Sequence, residues 1–221
     1  MSAAPAEPSA NCPLCPRLHD FIAGWREREP TWFNAPVPTF LPADGPDGVR
    51  LLIVGLAPGL RGANRTGRPF TGDYAGDLLY GTLREFGFAR GEFQARPDDG
   101  LALVGTAITN AVRCVPPANK PTPAEINTCR HFLSAGLAGF ENLQAIVTLG
   151  GIAHQSTVKA LGQRVAALPF KHGARYDVGG IGLFPSYHCS RYNTNTGVLT
   201  PAMFRAVFEH VHGRLAATRE H

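Results

Sequence analysis

Apolar positions along the chain fall into two alternating modes. Four continuous apolar runs, at residues 51–56, 101–112, 145–149 and 181–187, are followed by turn signals and predict buried strands. Between them the spacing becomes helical. Leu79, Leu83 and Phe86 share one face of a first helix, and Ile126, Cys129, Leu133 and Leu137 share one face of a second. Thr122-Pro123-Ala124-Glu125 opens the second with a capping box and a proline at the first helical position. A third helix is expected after Gly150-Gly151, and a last one opens at Thr200-Pro201 and buries Phe204, Val207, Phe208 and Val211. Strands alternating with helices predict an α/β fold, a parallel sheet covered on both faces, with its sites at the carboxyl ends of the strands. The Pro-rich segment 30–48 predicts an extended surface connection.

The 221 residues predict one domain over 11–215, with a disordered tail at 1–10 and a short tail at 216–221. There is no long apolar stretch and no leader pattern at the start, so a cytoplasmic protein without membrane contact is expected, nucleoid-associated in a prokaryote. A net charge of +4 is compatible with a phosphate-bearing partner and decides nothing alone. Five cysteines in such a chain point to metal or cluster ligation rather than disulfides.

The first strand runs into Gly55-Leu56-Ala57-Pro58-Gly59 and on through Gly62, Gly67 and Gly72, a loop whose backbone amides can approach a phosphate or a planar base. It has neither the P-loop nor the dinucleotide-fold glycine spacing. Within it stands Phe70, which either offers its face to a base or folds back onto the core, and Asp73, which is also placed to cap the following helix. Cys12 and Cys15, spaced as C-x-x-C, together with Cys114 and Cys129, supply four thiolates for a cluster or a zinc ion. The bland readings are a redox dithiol for the pair and a small core residue for Cys129. The fourth strand ends at His188, placed to donate into the site, followed by Cys189, Ser190, Arg191, Tyr192 and Asn193, a polar loop suited to nucleic acid.

Taken together, Gly55-Leu56-Ala57-Pro58-Gly59, the segment 64–73, Thr109-Asn110-Ala111-Val112-Arg113-Cys114-Val115-Pro116-Pro117, His188-Cys189-Ser190 and the four cysteines resemble the uracil-DNA glycosylases of the fifth family, type b. The resemblance spans about Cys12 to Arg214. It implies a single domain with a central four-stranded parallel sheet flanked by helices, and a 4Fe-4S cluster on Cys12, Cys15, Cys114 and Cys129. It also implies removal of uracil from DNA in base-excision repair, with hypoxanthine and xanthine as further candidates. Phe70 is expected to stack on the flipped base, Asn110 to bond its edge, and His188 to contact a base carbonyl as negative charge builds there. Gly55, Leu56, Ala57, Gly59, Ser190, Arg191 and Asn193 are the remaining expected substrate contacts, and a monomer is the expected state. Two departures matter. Leu56 stands where related families carry an acid or amide that positions water, which moves the carboxylate role to Asp73, with Asp77 as the alternative. Cys189 stands where proline is common and is a fifth thiol outside the ligand set. The rival readings are a narrowly uracil-specific sister family, an iron–sulfur or zinc nucleic-acid-binding protein without catalysis, and a nucleotide-handling α/β enzyme.

Overall fold

The computed structural model describes residues 6–217. In chain order the elements are α1 (Pro16–Arg28), β1 (Leu51–Gly55), α2 (Ala63–Thr66), α3 (Tyr74–Glu85), β2 (Ala89–Arg90), β3 (Ala102–Leu103), β4 (Thr106–Asn110), α4 (Pro123–Gly139), β5 (Ala145–Leu149), α5 (Gly151–Ala160), β6 (Tyr176–Val178), β7 (Ile181–Ser186), α6 (Arg191–Asn195) and α7 (Pro201–Ala217). The central sheet has the order β4-β1-β5-β7-β6. Its first four strands are mutually parallel, as expected, but the sheet has five strands rather than four, because β6 runs antiparallel on the edge. Val178 pairs with Ile181 across Gly179-Gly180, whose φ values of 61° and 88° make the two-residue turn that a right-handed strand twist favours.

The apolar run 101–112 is not one strand. Gly105 takes φ 59° and breaks it, so that β3 joins a small hairpin with β2 while β4 enters the sheet. One sheet face is covered by α3, α7 and the hairpin, with Leu51, Ile53, Leu79, Leu83, Phe204 and Phe208 in its core. The other face is covered by α4 and α5 over Leu52, Val54, Leu133, Ile146 and Leu183. The capping box of α4 forms as expected, Glu125 N donating to Thr122 Oγ1 and Thr122 N donating to the Glu125 carboxylate. A third, smaller core joins Leu18 and Ile22 of α1 to Val112, Val115, Cys114 and Cys129. Among the described residues no helix is long and apolar enough to cross a membrane.

Described residues within the expected tails 1–10 and 216–221 make ordered contacts. Glu7 accepts from Arg113 Nη1 at 2.7 Å and from Thr39 Oγ1, and residues 216 and 217 continue α7. Residues 1–5 and 218–221 lie outside the described residues. The connection 30–48 is only in part the extended surface segment expected: residues 34–37 are buried, Phe40 bridges to Ile108 of β4, and Pro46–Gly48 closes into a 3-10 turn.

The strongest buried electrostatic contact is the pair Arg68–Asp99. Two guanidinium nitrogens donate to the carboxylate at 2.9 and 2.7 Å, and the side chains are 6% and 0% exposed. Burial alone would raise the Asp99 pKa, but the Arg68 hydrogen bonds and the amides of Gln94 and Leu101 outweigh it and hold the carboxyl well below its usual range. Asp99→Asn should therefore destabilise the fold by about 3–5 kcal/mol, as expected when one partner of a buried pair is removed. The loss is read by urea denaturation at neutral pH, and a change under about 1 kcal/mol would show the pair to be dispensable. A depressed acid stabilises above its unfolded pKa, so the difference between variant and parent should shrink as pH falls below about 4.

Candidate active site

A pocket of about 600 Å³ opens where β1, β4 and β7 end. Strand register builds its wall. Gly55 pairs with Asn110, and a Cβ on Gly55 would collide with Asn110 Oδ1 and approach Phe70 Cζ to 2.7 Å. Only glycine lets these two side chains converge there. Gly55, expected as a substrate contact, therefore backs the wall, while Leu56, Ala57 and Gly59 line it.

Phe70 takes φ 53°, a costly conformation for a bulky residue unless its surroundings impose it. They do. Arg68 Nε donates to Thr71 Oγ1 at 2.7 Å, and its guanidinium lies 5.4, 5.5 and 5.7 Å from the ring centroids of Phe40, Tyr80 and Phe93. Tyr80 Oη donates to the Pro69 carbonyl at 2.6 Å. Gly76 lets the Phe70 carbonyl rest against α3, where a Cβ would collide with it. Phe70 is 7% exposed and packed on the core, and it also lines the pocket, 5.8 Å from the His188 ring.

Asn110 is 3% exposed and lines the pocket; no described residue bonds to its carboxamide. Asp73 has the extended backbone of a helix cap, φ −135° and ψ 166°, and its carboxylate lies near the Ala75 and Gly76 amides, though neither completes a cap hydrogen bond. Its carboxylate turns back toward the first glycine loop, where a Cβ on Gly59 or Gly62 would lie 3.2 or 2.6 Å from Oδ2. Protein packed around the carboxyl raises its pKa. The amides of Gly76 and Ala75 oppose this, Asp77 adds a smaller upward push, and water reaching Asp73 through the pocket mouth limits the total. Burial pushes His188 down to about 4, so the imidazole is neutral at pH 7 although one side opens into the pocket.

The segment after His188 folds as α6, with Ser190 as its cap accepting from Asn193 N at 3.4 Å. Ser190 and Arg191 line the pocket, and the Arg191 guanidinium lies 5.2 Å from the Tyr74 ring centroid. Asn193 does not line it; its Nδ2 donates to the His188 carbonyl at 2.8 Å and ties the loop. Cys189 is fully buried, with its thiol donating to the Ala75 carbonyl at 3.4 Å. Sequence reading missed Tyr74 and Asn119, both of which line the pocket. Asn119 follows Ala118, and both have positive φ, 56° and 54°, behind Pro116-Pro117; a proline pair before Ala-Asn was the available turn signal.

Beside α1 the four cysteines ring a small cleft with Leu14, Leu18, Val112 and Phe132. Among the described residues no group of three or more His, Cys, Asp or Glu is placed to hold a single metal ion. Burial first, and then the charges of neighbouring thiols, pushes Cys114 up to about 12 and Cys15 up to about 11; Cys129 is also raised by burial.

Residues 42–212 match the sequence pattern of the uracil DNA glycosylase superfamily. The chain is 44% identical over 207 residues to the type-5 uracil-DNA glycosylase of Thermus thermophilus, covering 89% of this chain and 90% of that protein. It is 41% identical over 211 residues to the enzyme of that name from Mycobacterium bovis, covering 89% and 75%. Against that from Pyrobaculum aerophilum it is 38% identical over 194 residues, covering 86% and 83%.

Two outcomes follow from the site's electrostatics. Asp73→Asn keeps the shape and loses the charge, so single-turnover turnover should fall at least about tenfold, 1.4 kcal/mol in the barrier, while substrate binding persists. Parental rates would reduce Asp73 to a helix-end residue and leave Asp77 as the acid. The rate should also decline as pH drops toward the raised pKa of Asp73, and this acid limb should survive in His188→Gln, because a group with a pKa near 4 is already neutral above it. Disappearance of the limb in that variant would assign it to His188.

Proposed function

The chain belongs to the type-5 uracil-DNA glycosylases of the uracil DNA glycosylase superfamily, a DNA glycosylase, and on that premise we propose that it excises uracil and other deaminated bases flipped out of DNA. The observation that carries this reading is Asn110, a residue 3% exposed whose carboxamide has no hydrogen-bond partner among the described residues and opens to the pocket beside Phe70. An amide offers one acceptor and paired donors, the complement of the N3–H and O4 edge of uracil, while the Phe70 face supplies stacking. A base inside a duplex reaches such a pocket only by leaving the stack. A broader base range is supported by the pocket's size and by Leu56 and Ala57, which carry no side-chain polar group to reject a deaminated purine.

The bond between C1′ and the base nitrogen breaks with its electron pair passing to the base, leaving an oxocarbenium-like sugar. Neutral His188 donates a hydrogen bond to the base carbonyl as it becomes anionic, a contact stronger in the transition state than in the ground state. Asp73 balances the positive sugar and orients water. The water oxygen bonds to C1′, and its proton passes to the carboxylate. Asn119, at the pocket rim, is a second group able to hold that water.

Cys12, Cys15, Cys114 and Cys129 fit a four-iron four-sulfur cluster by the chemistry of the donor set. Four thiols face one cleft, and Arg113 N donates to Cys129 Sγ at 3.4 Å, as amides do to cluster sulfurs. Such a cluster supplies cationic iron that neutralises the four crowded thiolates. The chain acts as a monomer in this reading.

Purified protein incubated with a uracil-containing duplex and then treated with alkali should yield strand cleavage at the uracil, and an intact strand would end the proposal. The protein should carry about four irons per chain with broad visible absorbance, and zinc in anaerobically prepared protein would refute the cluster.

A further inference from the structure

The strand that delivers His188 ends between two unequal neighbours. On the β5 side the ladder runs to Ser186, whose carbonyl also accepts from Gly150 N at 2.8 Å. On the β6 side pairing begins only at Tyr176, opposite Leu183. Continued by four residues, that register would set His172 opposite Tyr187, the residue just before His188. The chain is not extended there. Gly173 takes φ 74° and Ala174 N donates to the Lys171 carbonyl at 3.0 Å, so residues 171–174 form a tight turn. Gly173 N still reaches the Pro185 carbonyl at 2.9 Å. At the next rung a side chain takes the place of a main-chain carbonyl: Tyr187 N donates to His172 Nδ1 at 3.0 Å.

A main-chain amide only donates, so Nδ1 carries the lone pair and the proton of the neutral imidazole sits on Nε2. Burial lowers the His172 pKa, with the Met203 carbonyl pushing the other way, and the net shift favours this accepting form at pH 7. The ring is also stacked on the Tyr187 ring, with centroids 4.8 Å apart and planes 3° from parallel, and Phe170 meets the same Tyr187 ring at 5.9 Å and 58°. Beyond Tyr187, the His188 carbonyl accepts from Asn193 Nδ2. The main chain at His188 is therefore tied on both sides, by His172 before it and by Asn193 after it, while the His188 ring lines the pocket.

Resting on the glycosylase reading, we propose that His172 is a positioning residue for the reaction: by accepting the Tyr187 amide it fixes where the His188 imidazole meets the departing base. It does not line the pocket and acts only through the main chain. Displacing a reacting group by about 1 Å costs about a hundredfold in rate. Stacking on Phe70 and the Asn110 amide hold the base without passing through Tyr187. Loss of the His172 acceptor therefore falls on the cleavage step and spares binding.

The test is single-turnover cleavage of a uracil–guanine duplex over a range of protein concentrations, for the full chain and for His172→Phe and His172→Asn, each checked for folding by thermal unfolding. Phe keeps a ring against Tyr187 and removes the acceptor. Asn gives up the stack and keeps an acceptor, its Oδ1, where Nδ1 stands. His172→Phe should lower the maximal cleavage rate at least about tenfold with the half-saturating concentration within about twofold of the parent's, and His172→Asn should restore the rate to within about threefold. A packing role reverses that order, and a parental Phe variant beside a slow Asn variant would overturn the proposal. Equal losses in rate and binding would overturn it too. Should the Phe variant not fold, His172→Gln replaces it: its amide oxygen stands near the place of Nε2, so a slow Gln variant beside a fast Asn variant supports the proposal and equal rates sink it. A two-bond proton–nitrogen spectrum of the parent at pH 7, without DNA, should show the His172 proton on Nε2; a proton on Nδ1 would leave the Tyr187 amide without its acceptor and refute the assignment. Failure of the parent to cleave uracil DNA would instead strike the glycosylase reading, which the spectrum does not touch.

Discussion

The site depends on one buried ion pair. Arg68 and Asp99 close the loop that leaves β1, and the contacts that hold Thr71 and the rings behind Phe70 pass through that closure. A buried pair is weak evidence for net stability, because desolvating two charges costs about what their attraction returns. Its use here is geometric. Phe70 holds a left-handed backbone that an unconstrained loop would abandon, and the guanidinium fixes it by bonding Thr71 on one side and lying among three aromatic rings on the other. Thr66 adds a further tie by donating to the Thr71 carbonyl at 3.2 Å. The strain is thus carried by contacts outside the pocket, leaving the pocket face of the ring clear.

The sheet order places this loop where it can meet distant segments. Strand β1 lies between β4 and β5, so the chain leaves β1 toward one side and returns on the other, opening a crevice at the carboxyl ends. Asn110 enters from β4, and His188 from just beyond β7. The thiol cleft buttresses the first of these. The chain continues from Asn110 through Ala111 and Val112, whose amides donate to the Gly55 and Leu56 carbonyls, and then reaches Cys114. The small core of α1 thus packs behind the strand end that presents Asn110.

Much of this was legible in the chain. Buried parallel strands are continuous apolar runs, and three of the four predicted runs became single strands within a residue or so. The run 101–112 misled because apolarity reports burial and not direction; Gly105 turns the chain without interrupting the apolar character. Strand β6 escaped because it is short, at an edge and half exposed, although Gly179-Gly180 carried its turn signal. Helix α1 escaped because attention went to Cys12 and Cys15 as ligands, while Pro16 followed by Leu18 and Ile22 marked a helix start with an inward face. At the site, residue types announced donors and acids but not direction. Nothing in the chain says that Asn193 turns in to hold the His188 carbonyl, or that Gly55 backs the wall, because both follow from register and loop closure.

The same crowding acts oppositely on the charge requirements of the two central groups. Protein packed around Asp73 and His188 favours the neutral form of each, raising the acid and lowering the imidazole. In the proposed mechanism this is the useful state of His188: a neutral donor would not hold the base before cleavage as an imidazolium would, and its hydrogen bond would strengthen as the base becomes anionic. For Asp73 the useful state is the anion, and crowding works against it. The anion is kept by what crowding does not remove, water at the pocket mouth and the amides of Gly76 and Ala75 at the start of α3. A charged His188 would attract Asp73 and cancel the field that a positive sugar needs. In the proposed reaction neutrality at His188 therefore preserves the effect of charge at Asp73, the imidazole crowded by protein and the carboxylate at the open mouth of the pocket.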